Sequence, residues 1–151
     1  MSDNIYKYRH IGMTKTSQST LKSAFKSTSF LRTRDLEAHG IWRAKLRDFV
    51  AEGVLQRVGR GLYSLPSAEA TENRSLAEAG KRIPQGVVCL LSALRFHELT
   101  TQHPPEIWLA INGKAREPKM NHLPLRIVRL SRNALTEGQE EHSIEGVCVK
   151  I

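Results

Sequence analysis

The sequence predicts an α+β protein in which a small helical part with one β-hairpin precedes a part built on β-strands. Between residues 17 and 53, apolar residues recur at the spacing of short helices separated by glycine-containing turns. After residue 104, three apolar runs of strand length follow. The small, polar stretch 66–75 divides the two parts. With 151 residues, the chain is long enough for one ordinary domain or two small ones.

The first two helices are predicted from short stretches with clear ends. Residues 1–16 are polar and irregular, and we expect a flexible N-terminal arm there. The stretch "SQSTLKSAFKS" then places apolar residues at i, i+3 and i+4, which predicts a short first helix. In "TRDLEAHG", a second helix is expected, with Thr33 as its N-cap and Gly40 just beyond its end.

A third helix and a hairpin complete the first part. In "WRAKLRDFVAEG", Leu46 and Phe49 share one helical face. The following "LQRVGRGLYSL" alternates apolar and polar residues on both sides of a glycine-flanked turn, which is typical of a β-hairpin. Two helices joined by a short glycine-containing turn and followed by a hairpin predict a winged helix-turn-helix domain over residues 17–66.

The second part, residues 67–151, is predicted to be a small α/β domain whose helices pack on a mostly β-sheet layer. "SLAEAGKRIP" predicts one helix, and "GVVCLLSALRFHELT" predicts a second, more buried one. The stretch 131–144 is expected to form connecting turns. Strands are expected at residues 104–112, 125–130 and 146–151.

The buried face of that second helix is expected to carry Val88, Leu91, Leu94 and Leu99. The chain has two cysteines, Cys89 and Cys148, too few for a disulfide framework or a four-thiolate zinc site. We therefore expect both thiols to be buried apolar fillers.

The positive charge of the chain is concentrated in its first part. Residues 1–66 carry 12 Lys and Arg against 5 Asp and Glu, a net charge of +7, whereas residues 67–151 carry 11 against 10, a net charge of +1. Such asymmetry is typical of a nucleic-acid-facing half joined to a near-neutral half, although anionic membranes also attract basic surfaces. No apolar run approaches the roughly 18 residues of a membrane span, and the N-terminus lacks a signal-peptide centre, so a cytoplasmic protein is expected.

The basic residues of the first part fall where a winged helix-turn-helix touches DNA. The early residues of a recognition helix reach base edges in the major groove, the start of the preceding helix reaches phosphates, and the hairpin turn reaches the DNA backbone or the minor groove. The candidate DNA-binding residues are Arg32, Thr33, Arg34, Trp42, Arg43, Ala44, Lys45, Arg47, Arg57 and Arg60. The alternative is a solvated basic face with an ordinary hairpin, in which Trp42 only packs against its neighbours.

The sequence offers little material for an enzyme. None of the six histidines has a second histidine four residues away, the spacing that places two ligands on one helical face. There is no glycine-rich phosphate loop and no nucleophile elbow. We expect no enzymatic activity, no cofactor and no bound metal. The polar and aromatic residues of the second part, Arg95, His97, Glu98 and Trp108, are interpreted either as a packed layer with surface charges or as a partner or dimer contact.

Several stretches together resemble the AbiEi-type antitoxin and transcriptional-regulator family of type IV toxin–antitoxin systems. They are "RTRDLEAHGI", "LQRVGRGLYSLP", "NRSLAEAGKRIPQGVVCLLSALRFHELTTQHPPEIWLAI" and "EGVCVKI", and the resemblance spans about residues 18–151. It implies an N-terminal winged helix-turn-helix followed by a larger α/β domain. Family members usually continue beyond the last residue of this chain, so we expect a short or truncated member.

The resemblance implies a bacterial repressor that binds operator DNA at its own promoter, alone or as a cooperative pair or homodimer. The operon pairs such an antitoxin with an AbiEii nucleotidyltransferase-like toxin, which the antitoxin counters without forming a stable complex. A second hypothesis is a protein-interaction module that binds a toxin or another partner through the second domain, because a fold does not fix a function.

Overall fold

The computed structural model describes residues 15–66, 71–120 and 122–151, with side chains from Ser19 onward. Within these residues the chain is mixed helix and sheet, which confirms the predicted α+β class. It divides between residues 68 and 69 into two compact units. The first 14 residues of the expected arm and positions 67–70 of the expected linker lie outside the described residues.

The first unit contains three helices and a three-stranded antiparallel sheet. Its elements are α1 (Lys15–Ala24), β1 (Leu31–Arg32), α2 (Thr33–Ala38), α3 (Arg43–Ala51), β2 (Gln56–Gly59) and β3 (Leu62–Ser64). The strands lie in the order β1-β3-β2. Strand β1 was not predicted, because two residues are too few to show an alternating pattern. Helix α1 begins two residues earlier than expected.

The helices of the first unit pack through the apolar residues that predicted them. Leu46 and Phe49 of α3 are almost fully buried, as is Leu36 of α2. They join one core with residues from α1, from β1 and from the segments beside α3: Leu21, Ala24, Leu31, Ile41, Val54 and Leu55. Burial of large apolar side chains at these positions fixes which faces of α2 and α3 point toward solvent.

The turn between α2 and α3 is closed by a glycine, as predicted. The N–H of Gly40 donates to the carbonyl of Glu37, and the N–H of Ile41 donates to the carbonyl of Leu36, both at 2.9 Å. This is the Schellman pattern, which needs a left-handed residue at the glycine position, and the φ of Gly40 is +78°. Leu36 and Ile41 are both buried, so the turn also leads the chain inward before α3 begins.

The predicted N-cap of α2 was wrong by one residue. Arg32 is the N-cap, with an extended backbone, and Thr33 is the first helical residue. Arg32 is extended because it pairs with Leu62 in the sheet. Its N–H donates to Oδ2 of Asp35 at 2.9 Å, the contact by which the third helical residue of a capping box holds the N-cap backbone.

The predicted hairpin is formed by β2 and β3 with a two-residue turn at Arg60 and Gly61. The pairing register shifts between Arg57 and Gly59, which marks a bulge beside the turn. Gly61 has a φ of +68°, and its carbonyl accepts the N–H of Thr33 at 3.1 Å. The hairpin turn is therefore tied to the start of α2.

The second unit consists of a five-stranded mixed sheet with short helices. Its elements are α4 (Arg74–Arg82), β4 (Val87–Val88), α5 (Leu90–Phe96), β5 (Ile107–Asn112), β6 (Leu125–Leu130), α6 (Arg132–Thr136), β7 (Glu141–Ile144) and β8 (Val147–Lys150). The strand order is β6-β5-β4-β8-β7. The pairs β5–β6 and β4–β8 are parallel, and the pairs β4–β5 and β7–β8 are antiparallel.

Helix α4 lies close against β8 because its inner face is small. Ala77 and Ala79 are fully buried, and a Cβ atom placed on Gly80 would lie 2.8 Å from Cγ2 of Val149. Glu78 is also buried on this helix, and one of its carboxylate oxygens lies 2.5 Å from Nε2 of His122. The predicted helix on a sheet layer is confirmed for this element.

The predicted long helix around residues 86–100 was wrong in its first part and in its buried face. Val87 and Val88 form β4 instead, paired with β5, and the helix begins only at Leu90. Leu94 and Leu99 are 40% and 71% exposed, so they do not form the expected buried stripe. A short apolar run fits a buried strand as well as a buried helix, and the β-branched valines follow the strand alternative.

Two further expectations for the second unit were wrong. The stretch 131–144 contains α6 and β7 rather than turns alone. Cys148 is exposed and Cys89 is only half-buried. In β8 the buried side chains are Val147 and Val149, so the alternation of the strand turns Cys148 to the opposite face.

Candidate nucleic-acid interface

Helix α3 exposes its first turn. Trp42, the N-cap residue, is 67% exposed, and Arg43, Ala44 and Lys45 are exposed after it. An exposed tryptophan at the start of a helix has no packing role in the core of this unit. The interpretation of Trp42 as a core side chain was therefore wrong for the described residues.

The exposed residues of α3 do not all share one face. Arg43 and Arg47 are four residues apart, so their side chains lie one above the other, with Ala44 beside them. Lys45 lies on the other flank, where its Nζ is 5.7 Å from the centroid of the Phe49 ring. Exposed Asp48 was not among the predicted residues; it lies four residues after Ala44 and three after Lys45, so it sits between these two and not beside the arginine pair.

Arg43 is held by a residue of the preceding helix. Its Nε lies 3.1 Å from Oε1 of Glu37, while the Arg43 side chain remains 82% exposed. The ion pair restricts the arginine without covering it, so its guanidinium keeps donors directed at solvent. Glu37 was not among the predicted site residues, because two residues six apart across a turn leave no periodic signal.

At the start of α2, two backbone N–H groups already have acceptors within the unit. The N–H groups of Arg32 and Thr33 already donate to Asp35 and to the carbonyl of Gly61. Both residues are half-buried, whereas the side chain of Arg34 is 75% exposed with its Nε 3.6 Å from Asp35. Of the three predicted residues here, Arg34 is the one whose charge is open to a phosphate.

The hairpin carries two exposed arginines. Arg57 lies in β2, and its Nε donates to the carbonyl of Gly59 at 3.3 Å. Arg60 is exposed in the turn itself. Because the carbonyl of Gly61 binds the N–H of Thr33, the turn that presents Arg60 is fixed to the helix that presents Arg34. A backbone hydrogen bond thus connects the predicted residues of α2 with those of the hairpin. The predicted residues from Arg43 to Arg47 lie together on α3.

Arg95 and Trp108, two of the polar and aromatic residues noted in the second unit, have partners within that unit. Arg95 forms an ion pair with Glu72. The backbone N–H of Trp108 donates to Oγ of buried Ser92 at 2.9 Å, and the Arg126 guanidinium lies 4.7 Å from its ring centroid. These contacts favour the packed-layer interpretation for Arg95 and Trp108. His97 and Glu98 are exposed at the end of α5.

The comparisons with known proteins address the first unit. No curated protein matches the chain, and no helix in its described part has the length and apolar character needed to cross a membrane. Residues 19–66 match the family model described as "Transcriptional regulator, AbiEi antitoxin". The match covers the segment from α1 through the hairpin. It confirms the predicted resemblance to the AbiEi family over these residues.

Proposed function

We propose that this protein is a DNA-binding transcriptional regulator whose residues 15–66 act as a winged helix-turn-helix domain. The observation that carries the proposal is the exposed face of α3, where Arg43 and Arg47 stand together over a buried apolar core. This face belongs to the segment that is similar to a family of transcriptional regulators. In such domains the second helix of the pair enters the major groove, and the hairpin follows the backbone.

The proposed contacts follow from exposure and chemistry. Arg43 and Arg47 would donate to base edges, most favourably to guanine, and Ala44 leaves room for close approach. Trp42 would supply an apolar contact, for which the thymine methyl is the natural partner in the major groove. The other exposed cations of the predicted set, Arg34, Lys45, Arg57 and Arg60, would contact phosphates, while Arg32 and Thr33 position the hairpin.

The wider role is proposed from the same similarity. As a bacterial antitoxin, the protein would repress its own operon in the cytoplasm from double-stranded operator DNA, alone or as a homodimer. Its functional partner would be an AbiEii-like nucleotidyltransferase toxin. The net charge of +7 on residues 1–66 supports the DNA contact, since phosphate neutralisation supplies much of the affinity of such proteins.

Substitution of single arginines tests the proposed geometry. Arg47→Ala should weaken binding to DNA from its own promoter by about tenfold or more, because one bidentate base contact contributes about 1–3 kcal/mol. Arg60→Ala should weaken binding to all sequences alike and lower the salt slope by about one, as expected for a phosphate contact. Fluorescence anisotropy on labelled duplexes measures both effects.

A matched control is available in the second unit. Arg116 is exposed there, so Arg116→Ala removes the same charge from the chain outside the proposed interface. Its DNA affinity should equal that of the wild type. If Arg47→Ala and Arg60→Ala also bind like the wild type, or if Arg116→Ala loses as much affinity as they do, α3 and the hairpin are not the interface.

A protein-interaction module is the second candidate function. The observation that favours it is the exposed apolar surface on α5 and just after it, where Leu90, Leu94 and Leu99 are 53%, 40% and 71% exposed. Several exposed apolar side chains on one short stretch of chain favour a protein contact. This candidate predicts a tight complex with the toxin that Leu94→Ser abolishes, together with no preference for promoter DNA.

A further inference from the structure

Two histidines and a glutamate converge on one spot of the second unit, outside the proposed DNA interface. His97 directly follows α5 as its C-cap residue. His142 lies in the edge strand β7, and Glu140 directly precedes the strand and is paired through its backbone with Ile151, so the two side chains, two residues apart, share one side. One potential ligand atom from each of the three residues lies within 4.8 Å of the others.

The distances suit a small, tetrahedral metal ion. Bonds of about 2.0–2.1 Å place neighbouring ligand atoms of a tetrahedral zinc site about 3.3 Å apart. Nε2 of His142 and Oε2 of Glu140 are already 3.1 Å apart. All three ligand atoms lie within 4.8 Å of one another, so the ligand atom of the exposed His97 needs to move by at most about 1.5 Å to reach the tetrahedral spacing. Imidazole nitrogen and carboxylate oxygen are typical ligands of Zn²⁺ and of the neighbouring divalent transition metals.

An aromatic ring supports the two imidazoles. The Phe96 ring meets the His142 ring edge to face with centroids 4.9 Å apart, and it meets the His97 ring in the same way at 5.2 Å. The centroids of the two imidazoles are 5.6 Å apart. Contacts of this kind restrict the ring planes, and metal sites depend on such support around the ligands.

We propose that His97, Glu140 and His142 form a binding site for a divalent transition-metal ion, with Zn²⁺ as its natural occupant. Three protein ligands leave a fourth position open to water. The ion would tie the end of α5 to the edge strand β7, two elements more than forty residues apart in the chain. No metal was expected from the sequence because no two histidines have the four-residue spacing of ligands on one helix, whereas these ligands come from a helix end and a strand.

Cys148 is not a fourth ligand of this site. It pairs across the sheet with Ser143, whereas His142 pairs with Val149. Side chains of directly paired residues point to the same side of a sheet, so the Cys148 thiol lies on the side opposite His142. The Cys148 thiol could bind zinc independently of this site. Cys148→Ser removes it, so zinc binding can also be measured in a protein that lacks this thiol.

The test is a zinc titration of the full chain, freed of any polyhistidine tag and treated with a chelator. Competition against a chromophoric chelator should show one Zn²⁺ per chain, and zinc should raise the unfolding temperature, since a ligand of the native state stabilises it. His97→Ala and His142→Ala should each weaken zinc binding by more than tenfold, because loss even of a supporting contact costs about 10–100-fold.

His122→Ala is the matched control. His122 also sits beside a carboxylate, that of Glu78, but these two groups have no part in the cluster. This variant should bind zinc like the wild type. Absence of saturable binding at micromolar zinc would overturn the proposal, as would equal affinity of the wild type and both His97→Ala and His142→Ala. Because His97 is exposed, His97→Ala is expected to fold. It therefore tests the site even if His142→Ala fails to fold.

Discussion

Gly61 shows how a single residue fixes the position of the hairpin. Its φ of +68° lies in the left-handed region, which glycine adopts without the steric penalty that a Cβ brings. A Cβ atom at this position would also lie 3.3 Å from Oγ1 of Thr33, at the start of α2. Backbone conformation and space therefore both select glycine where the turn meets the helix.

Gly61→Ala should destabilise the protein by more than the roughly 1–2 kcal/mol that the left-handed conformation alone costs a non-glycine residue. Gly40→Ala is the matched comparison, because Gly40 has a φ of +78° and nothing within 4 Å of an added Cβ. In urea unfolding, the free energy of unfolding of Gly61→Ala should therefore be lower than that of Gly40→Ala. Equal stability of Gly61→Ala and the wild type would show that the turn does not adopt this conformation.

Strand β8 shows how an element decides which side chains are accessible. Its alternation buries Val147 and Val149 against α4 and turns Cys148 outward. Burial raises the pKa of the half-buried Cys89 thiol, and a hydrogen bond from the backbone of Ala110 offsets only part of this. Desolvation raises the pKa of the Cys148 thiol as well, and the neighbouring Glu141 carboxylate adds to the effect.

Cys148 should react with a thiol-specific reagent before Cys89 in the native protein. Both pKa values are raised, so both rates should increase with pH as the thiolate forms, and accessibility decides their order. Mass spectrometry of partly labelled protein at mildly alkaline pH measures the order. Cys148→Ser should leave only the slow reaction. Faster labelling of Cys89 would contradict the orientation of β8 in which the Cys148 side chain faces solvent.

Elements with local signals could be predicted from the sequence, and elements defined by distant pairing could not. The strand at 125–130 was predicted with the bounds it has, since six consecutive residues carry its β-favouring pattern. Strands β1 and β4 have two residues each, and they exist because β3 and β5 pair with them. A stretch of two residues has no pattern that predicts which strand it pairs with. For this reason β1 was missed and β4 was taken for the start of a helix.

The same contrast holds for the two candidate sites of the whole molecule. The basic residues of α3 and the hairpin could be named from the sequence, because helical period and turn residues placed them there. Glu37, which holds Arg43, and the grouping of His97 with Glu140 and His142 depend on tertiary contacts. Side chains brought together across a turn or a sheet edge have no fixed spacing in the chain.

The distribution of charge is the property of the whole molecule that bears most directly on function. Most of the excess positive charge lies in the first 66 residues, and the described part of that segment exposes it on and just after α1, on α2, on α3 and in the hairpin. Several phosphate contacts of this kind release counterions together, so the affinity for DNA should fall steeply with salt. A generic basic surface would share this salt dependence but would not prefer one sequence.

Sequence preference is therefore the most direct test of the central proposal that the first unit recognises operator DNA. The measurement is an anisotropy titration of the full chain with promoter DNA from its own gene, beside a scrambled duplex of equal length and composition, at two salt concentrations. We expect binding to the promoter to be tighter by about a thousandfold or more and to weaken steeply with salt, as for specific regulators. Equal affinity for the two duplexes would contradict the proposal.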